Sequence, residues 1–377
     1  MKSTIEIPLP AAGLGTRRAL TLHRYGAPDR RPHVHLQAAL HADELPGALV
    51  LHHLMRLLDD ADARGKVVGG ITVLPVANPI GLDQHLMAHH VGRFELANGR
   101  NFNRHFPNHD EAAAAWLDGR LGSDAAANVV LVREALRACW EAAGGDAVDE
   151  GEHLRRTLYG LGLGADIVLD LHCDNQAVMH VYTSTACWPD ADDLTRQLGA
   201  EAVLLAEVSG GDPFDEAFSR PWVALSKRFG PRQPIAQGCL SATVELRGES
   251  DVRDDLAEAD ALNLFRFLQR RGAVAGDPGP LPDARCEASP LEGVDTVRSP
   301  VAGVLSFVAE PGAKIRAGDV VGHVTEPMTG ARSALASRTD GILFARVATR
   351  LARPGDVVCK VAGAVPLAGR SGKLLTD

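Results

Sequence analysis

The chain has 377 residues, 45% hydrophobic and 23% charged, which is ordinary for a globular protein and long enough for two domains. Lys and Arg number 39 against 48 Asp and Glu; the formal net charge of −9, with no basic block to offset it locally, argues against a nucleic-acid partner. Six scattered Cys without a CxxC pair argue against a disulfide scaffold or a thiolate zinc site. No apolar run approaches the roughly 20 residues that span a bilayer, and MKSTIEIPLP shows no signal pattern, so the expectation is a soluble, cytoplasmic protein without a membrane partner.

Residues 1–30 read as an edge hairpin: IEIPLP, a Gly-rich turn, then ALTLHRYG. RPHVHLQAA, residues 31–39, alternates weakly and ends in small residues, as a strand entering a turn does. After Leu40-His41-Ala42-Asp43-Glu44 comes LPGALVLHHLMRLLDD, with Ala48, Leu51, Leu54, Met55 and Leu58 at the spacing of a helix face and Pro46 suited to its first turn. His41 and Glu44 therefore lie on a strand-to-helix corner, where open α/β sheets gather their chemistry. An imidazole and a carboxylate three residues apart can face one point, and both are zinc-ligand types. Alone, HxxE describes an incidental His beside a helix-start acid equally well.

KVVGGITVLPV (66–76) is a β-rich run closed by Asn78-Pro79 as a turn. GLDQHLMAHHVGRFELANGRNFNRHFP is loop-like and rich in His, Arg and Asn, residue types that suit substrate contacts. His85 with His89, and His105 with His109, have i,i+4 spacing, but no Glu completes an HExxH pattern and they read as loop residues. His33 and His35 read as strand positions, and His52 and His53 as helix positions. Residues 110–160 are Ala-rich helices; one carries Val129, Val132, Leu136 and Cys139 on a core stripe.

ADIVLDLH (165–172) is a short apolar strand that delivers His172 at its end, with Asp170 on the same side as a candidate partner for that imidazole. AVMHVYTS is a further strand and ADDLTRQLGA a helix. In SATVEL (241–246), Glu245 sits within a β-branched run, where an unpaired buried carboxylate is costly without a purpose. Two His, a ligand Glu and a separate Glu base make the minimal kit of a hydrolytic zinc site: three ligands leave a fourth position for water, and the extra carboxylate takes its proton. Asp174 is the next candidate for that base.

DVRDDLAEADALNLFRFLQRRG reads as a helix, apolar at Leu256, Leu262, Leu264, Phe265 and Leu268 and ended by Gly272. AGDPGPLPDA is a Pro/Gly linker. Residues 285–377 are Val- and Gly-rich and repeat: SPVAGVLSFV (299–308) recurs as SRTDGILFAR (337–346), and AGDVVGHV (317–324) as PGDVVCKV (354–361). This part resembles a biotinyl/lipoyl-type barrel-sandwich without the modified Lys, since the joining segment reads EPMTGARSALAS and Lys314 lies within the first half.

The ordered set HADE, ANPIGL, GRNFNRHFP, DIVLDLH and TVELRG, over residues 41–248, resembles the succinylglutamate desuccinylase/aspartoacylase family, a branch of the zinc carboxypeptidase-like hydrolases. The resemblance implies a mixed α/β sheet flanked by helices over residues 1–280, with the small all-β domain at 285–377. It implies one Zn²⁺ per chain on His41, Glu44 and His172, Glu245 as general base, and Asn103 with Arg104 as a clamp on a substrate carboxylate. Relatives read Asp-Leu-Asn-Arg where this chain has Asn101-Phe102-Asn103-Arg104. They also carry a carbonyl-polarising Arg where it has Leu96; Arg93 is favoured for that role and Arg100 held second, while pairing of either with a surface acid remains an equal reading. The implied activity is removal of an acyl group from a small N-acyl substrate such as an N-acylated amino acid. A metallocarboxypeptidase acting on short peptides and a non-catalytic metal-binding homologue are the rivals. The sequence leaves open a homo-oligomer, the acyl group and the choice of zinc over another divalent ion.

Overall fold

The computed structural model describes residues 1–11, 13–27, 29–144 and 149–375. β1 (Ser3–Pro8) and β2 (Ala19–Tyr25) form the antiparallel edge hairpin, and β3 (His33–Ala38) leads through the corner into α1 (Pro46–Ala63), with Pro46 at its first turn. β4 (Gly70–Leu74) is followed by the short α2 (Pro79–Leu82), capped by the Asn78 side chain, which accepts from Gly81 N–H at 2.8 Å. The His-rich stretch is no helix: β5 (His85–Leu86) and β6 (His89–His90) make a small hairpin in which His85 and His90 stack. His105 has φ 61° in a loop, so neither i,i+4 His pair occupies a helical turn.

α3 (Asp110–Leu117), α4 (Ala125–Ala142) and α5 (Glu150–Gly162) are the Ala-rich helices, and Val132 and Leu136 of the core stripe are buried. β7 (Ile167–Asp174), β8 (Gln176–Ala177), β9 (Met179–Ser184), α6 (Asp192–Leu198) and β10 (Ala202–Ala206) follow. Then come α7 (Glu216–Phe229), β11 (Leu240–Gly248), α8 (Asp254–Arg270) and β12 (Ala288–Pro290). On α8 the inward face runs through Ala257, Ala261, Leu264, Phe267 and Leu268, whereas Leu262 is 41% exposed; it points away from the 257/261/264/268 stripe.

The nine-stranded sheet has the order β1-β2-β4-β3-β7-β11-β9-β10-β12. β4, β3, β7 and β11 run parallel, and β9 joins β11 antiparallel, so the sheet is mixed. One apolar cluster ties one face to α1, α6 and α8 through Val34, Leu36, Leu169, Leu171, Ala242 and Val244. A second cluster covers the other face with α3, α4, α5 and α7. The strand alternation that sends those apolar residues one way sends Gln37, Asp170, His172, Thr243 and Glu245 the other. No helix among the described residues is long and apolar enough to cross a membrane.

The C-terminal part is all β. β13 (Val294–Arg298), β14 (Gly303–Phe307), β15 (Lys314–Ile315), β16 (Val320–Thr325) and β17 (Arg332–Ala336) are followed by β18 (Gly341–Arg346), β19 (Leu351–Ala352) and β20 (Val357–Gly363). They form two antiparallel sheets, β13-β20-β18-β15 and β17-β16-β14-β19, around one core that includes Leu305, Val321, Val324, Leu343, Val358 and Val361. The sequence repeat appears as a strand exchange: β15 of the first half pairs with β18 of the second, and β19 of the second with β14 of the first. Backbone bonds repeat with it, Ser299 with Gly355 and Asp356 matching Ser337 with Gly318 and Asp319. β12, just after the linker, completes the large sheet beside β10, and β8 pairs with β18.

Candidate active site

The corner after β3 is held by backbone rather than by its own side chains. Ala39 takes φ 54°, a left-handed conformation that a non-Gly residue adopts only under surrounding constraint. Asn78 Nδ2 donates to Leu40 O at 2.9 Å, and Ala42 N–H donates to Gly92 O at 3.1 Å. A Cβ on Gly92 would lie 2.3 Å from Asp43 N, so only glycine fits there. These contacts turn His41 and Glu44 toward β7.

His41 Nδ1 lies 2.9 Å from Glu44 Oε1, and His172 Nδ1 lies 2.7 Å from Glu44 Oε2. The far nitrogen of each ring meets an oxygen acceptor: His41 Nε2 with Asn101 Oδ1 at 2.9 Å, His172 Nε2 with Asp170 Oδ2 at 2.8 Å. Asn103 N–H donates to the same Asn101 Oδ1 at 2.8 Å, which fixes the orientation of that amide. Each Nε2 is thus set as a donor, and each Nδ1 is left to present its lone pair inward. One donor atom from each of the three residues lies within 4.8 Å of the others, and all three residues are buried. Arg93 Nη1 sits 2.9 Å from Glu44 Oε1 and 3.1 Å from His41 Nδ1, so the point of convergence already draws a positive group. The donor set fits a divalent ion of the zinc type.

Burial would raise Glu44, but His41 and His172 outweigh it and hold its carboxyl well below the usual range. Burial would lower His172, but Asp170 and Glu44 hold it well above. His41 is lowered by burial and by the Arg93 guanidinium. Behind the ring of His172, Asp170 Oδ1 accepts from Gln37 Nε2 at 3.1 Å, which anchors the carboxylate in the sheet.

Glu245 lies opposite His172 in the β7–β11 register. Its carboxyl is pushed up to about 8 by burial and by the charge of Glu44, and its Oε2 is buried without a hydrogen-bond partner among the described residues. The strand shifts register just beyond it, and Arg247 has φ 66°. Asp174, the other acid at this strand end, is engaged by Lys360 Nζ at 2.6 Å.

A cavity of about 950 Å³ opens over these groups. Arg93, Asn103 and Arg104 line it together with His41, Glu44, His172 and Glu245. Asn103 is held by Phe214 N–H, which donates to its Oδ1 at 2.8 Å, and its Nδ2 lies 3.5 Å from His172 Nε2. Arg104 is buried, with Nη1 donating to Asn103 O at 2.7 Å. Arg100 is not brought to the cavity: its half-exposed guanidinium bonds Asp149 Oδ2 at 3.2 Å, at the start of α5. Leu96 is also exposed. The sequence names Asn78 only as part of a turn and Asn101 only as a departure from relatives, and does not name Gly92; their place inside the ANPIGL, NFNR and GRF stretches was the signal for their roles. It also did not single out the residues of the C-terminal part that wall the cavity, among them Val294, Phe344, Lys360 and Leu374.

A mixed α/β sheet gathers a His–Glu–His cluster, a candidate metal site, and a buried carboxylate at its strand ends. Residues 30–128 match the succinylglutamate desuccinylase/aspartoacylase catalytic domain. The structure is similar to that of a succinylglutamate desuccinylase/aspartoacylase family protein from Shewanella amazonensis SB2B (25% identity, 96% of this chain and 98% of that one, TM-score 0.82). It is also similar in fold to a protein described as a succinylglutamate desuccinylase/aspartoacylase from Shewanella frigidimarina NCIMB 400 (24%, 96% and 97%, TM-score 0.83). A third similar fold is that of a succinylglutamate desuccinylase/aspartoacylase from Rhodobacter sphaeroides (17%, 97% and 96%, TM-score 0.66). The sequence matches no curated protein.

Proposed function

We propose that the chain is a zinc-dependent amidohydrolase that removes an acyl group from an N-acylated amino acid or a similar small amide. The observation that carries this reading is the braced donor set, His41, Glu44 and His172, beside a buried Glu245 oxygen without a partner among the described residues. His41, Glu44 and His172 would hold one Zn²⁺, which supplies Lewis-acid polarisation of the amide carbonyl and a lowered pKa for water. Glu245 takes the proton of the attacking water and delivers it to the leaving amine. Arg93, at the cavity mouth of the ligand cluster, stabilises the charge that develops on the carbonyl oxygen. Asn103 and Arg104 orient the substrate by its carboxylate. The cavity is of small-molecule size, and the C-terminal residues along it favour a compact N-acyl substrate over a peptide. Six unpaired cysteines support a reducing, cytoplasmic setting.

The test is metal analysis followed by hydrolysis of N-acyl amino acids and short peptides, with and without chelator. Glu245→Gln is expected to retain zinc and lose about 10²–10⁴-fold in kcat. Near-normal turnover in that variant, or activity unaffected by chelation, overturns the reading.

A further inference from the structure

One cation of the C-terminal part is carried to the strand ends where the ligand cluster sits. Lys360 lies on β20, opposite Thr296 of β13 on one side and Ala345 of β18 on the other. Ala345 in turn pairs with Ala177 of β8, which follows β7 directly, so the register delivers Lys360 to the end of β7. There its Nζ lies 2.6 Å from Asp174 Oδ2, two residues beyond His172, and both side chains line the cavity. They are only 22% and 19% exposed, so the pair is largely withdrawn from water.

The internal repeat shows that the fold itself does not ask for a cation at this position. PGDVVCKV matches AGDVVGHV, and the counterpart of Lys360 is His323 on β16. His323 does not line the cavity, and its Nδ1 is buried without a hydrogen-bond partner among the described residues. What sets Lys360 apart is the group it meets.

That group belongs to a crowd of acids. Asp43, Glu44, Asp174, Glu245 and Glu249 all line the cavity. Glu249 is raised by burial and by the charges of Asp43, Glu44 and Asp174; Glu245 is raised by burial, Glu44 and Asp174, while the charges of His172 and Lys360 oppose them. Arg93 answers Glu44, and Lys360 answers Asp174. Attack of water on an amide carbonyl adds negative charge beside these acids, and each one left unanswered opposes it.

We infer that Lys360 is a positioning residue for the reaction: acting through Asp174, it cancels a negative charge that would otherwise oppose charge build-up on the substrate carbonyl. The C-terminal part thereby contributes to the chemistry as well as to the cavity wall. The inference rests on the deacylase reading for the reaction, and anion binding at the loaded site tests it separately.

The experiment compares full-length wild type, Lys360→Met, Asp174→Asn and the double variant. Turnover of N-acetyl amino acids is measured on the zinc-loaded proteins, and acetate is titrated onto the cobalt-loaded ones by visible absorption. Lys360→Met should lose about 10–100-fold in kcat with little change in KM, and should bind acetate about tenfold more weakly, the scale of one uncancelled charge several ångströms away. Removing both charges restores the balance, so the double variant should return to within about threefold of wild type in both measurements. Lys360→Arg keeps the charge and should behave as wild type. A side chain that merely packs or anchors would not be rescued by Asp174→Asn. If Lys360→Met does not fold, Lys360→Gln takes its place in the cycle. Wild-type kcat in the single Lys360 variant, or a folded double variant as impaired as the single one, overturns the inference and leaves the deacylase reading standing. Failure of wild type to hydrolyse any N-acetyl compound overturns the deacylase reading, and acetate then decides alone: weaker binding rescued in the double variant sustains the role of Lys360, and unchanged or unrescued binding overturns it.

Discussion

At the scale of single residues, the ligand cluster depends on the groups behind it as much as on the donors. Two ligands cannot hold a mononuclear ion tightly, so His41→Ala and His172→Ala should each lose stoichiometric zinc and activity together. Asp170 bonds the far nitrogen of His172 at 2.8 Å, and Asp170→Asn should weaken zinc by about 10–100-fold in a chelator competition; an unchanged affinity would remove Asp170 from the site. Arg104 makes a different prediction. If it clamps a carboxylate, Arg104→Ala should impair free acids far more than the corresponding amides, shrinking the acid-to-amide ratio by well over tenfold, because breaking such a pair costs about 2–5 kcal/mol. Arg104→Lys should recover only part, since it restores charge without the planar fork. An acid-to-amide ratio that stays at the wild-type value would show that the carboxylate is bound elsewhere.

At the scale of elements, the site was legible where a strand carried it. On β7, Ile167, Leu169 and Leu171 face one way and Asp170 and His172 the other, and the period of two is visible in the letters. The corner at His41 and Glu44 was legible from a strand, a turn and Pro46 in sequence. The braces were not, because they close over distance: Asn101 reaches His41 across 60 residues, and Asn78 reaches Leu40 across 38. Arg93 and Arg100 could not be ranked from the chain, since a loop does not declare which way its side chains turn. α7, with Pro221 inside it, lacked a clean helical signature, and the place of Asp215 and Glu216 at its start along the cavity stayed hidden. The close approach of α1 to the sheet was equally unread. A Cβ on Gly47 would sit 2.9 Å from Leu171 Cβ and 3.0 Å from Ala38 Cβ, so Gly47→Ala should cost about 1–3 kcal/mol and loosen zinc binding by shifting Glu44. Gly122→Ala, with nothing within 4 Å, is the control and should melt like wild type. Equal melting midpoints for the two variants would mean that α1 yields without cost.

At the scale of the molecule, the C-terminal strands are continuous with the catalytic part. β8 pairs with β18, Val178 N–H donates to Phe344 O at 3.0 Å, and one apolar cluster joins Val178, Leu204, Leu291, Phe344 and Leu374. The repeat was visible in sequence, but the exchange of β15 and β19 between its halves was not, because a repeat does not specify its own pairing. Among the described residues the β16–β17 turn, Glu326–Ala331, contains no Lys. Co-expression with biotin or lipoate ligases should therefore yield only the intact mass of the unmodified chain, and a species heavier by one such group would restore a carrier role.

The stitching of β8 to β18 has a consequence for how the cavity can change. Swinging the C-terminal strands aside would break backbone pairing and open a shared core, so the volume above the reaction centre is set by the folded state. A lineage under selection for a longer or bulkier acyl group cannot reach it by opening wider. It must replace wall residues such as Val294, Phe344 or Leu374, none of which belongs to the proposed ligand set. On the proposed function, the ligand set and this part of the cavity wall are thereby encoded in separate stretches of the gene, and drift in one need not compromise the other.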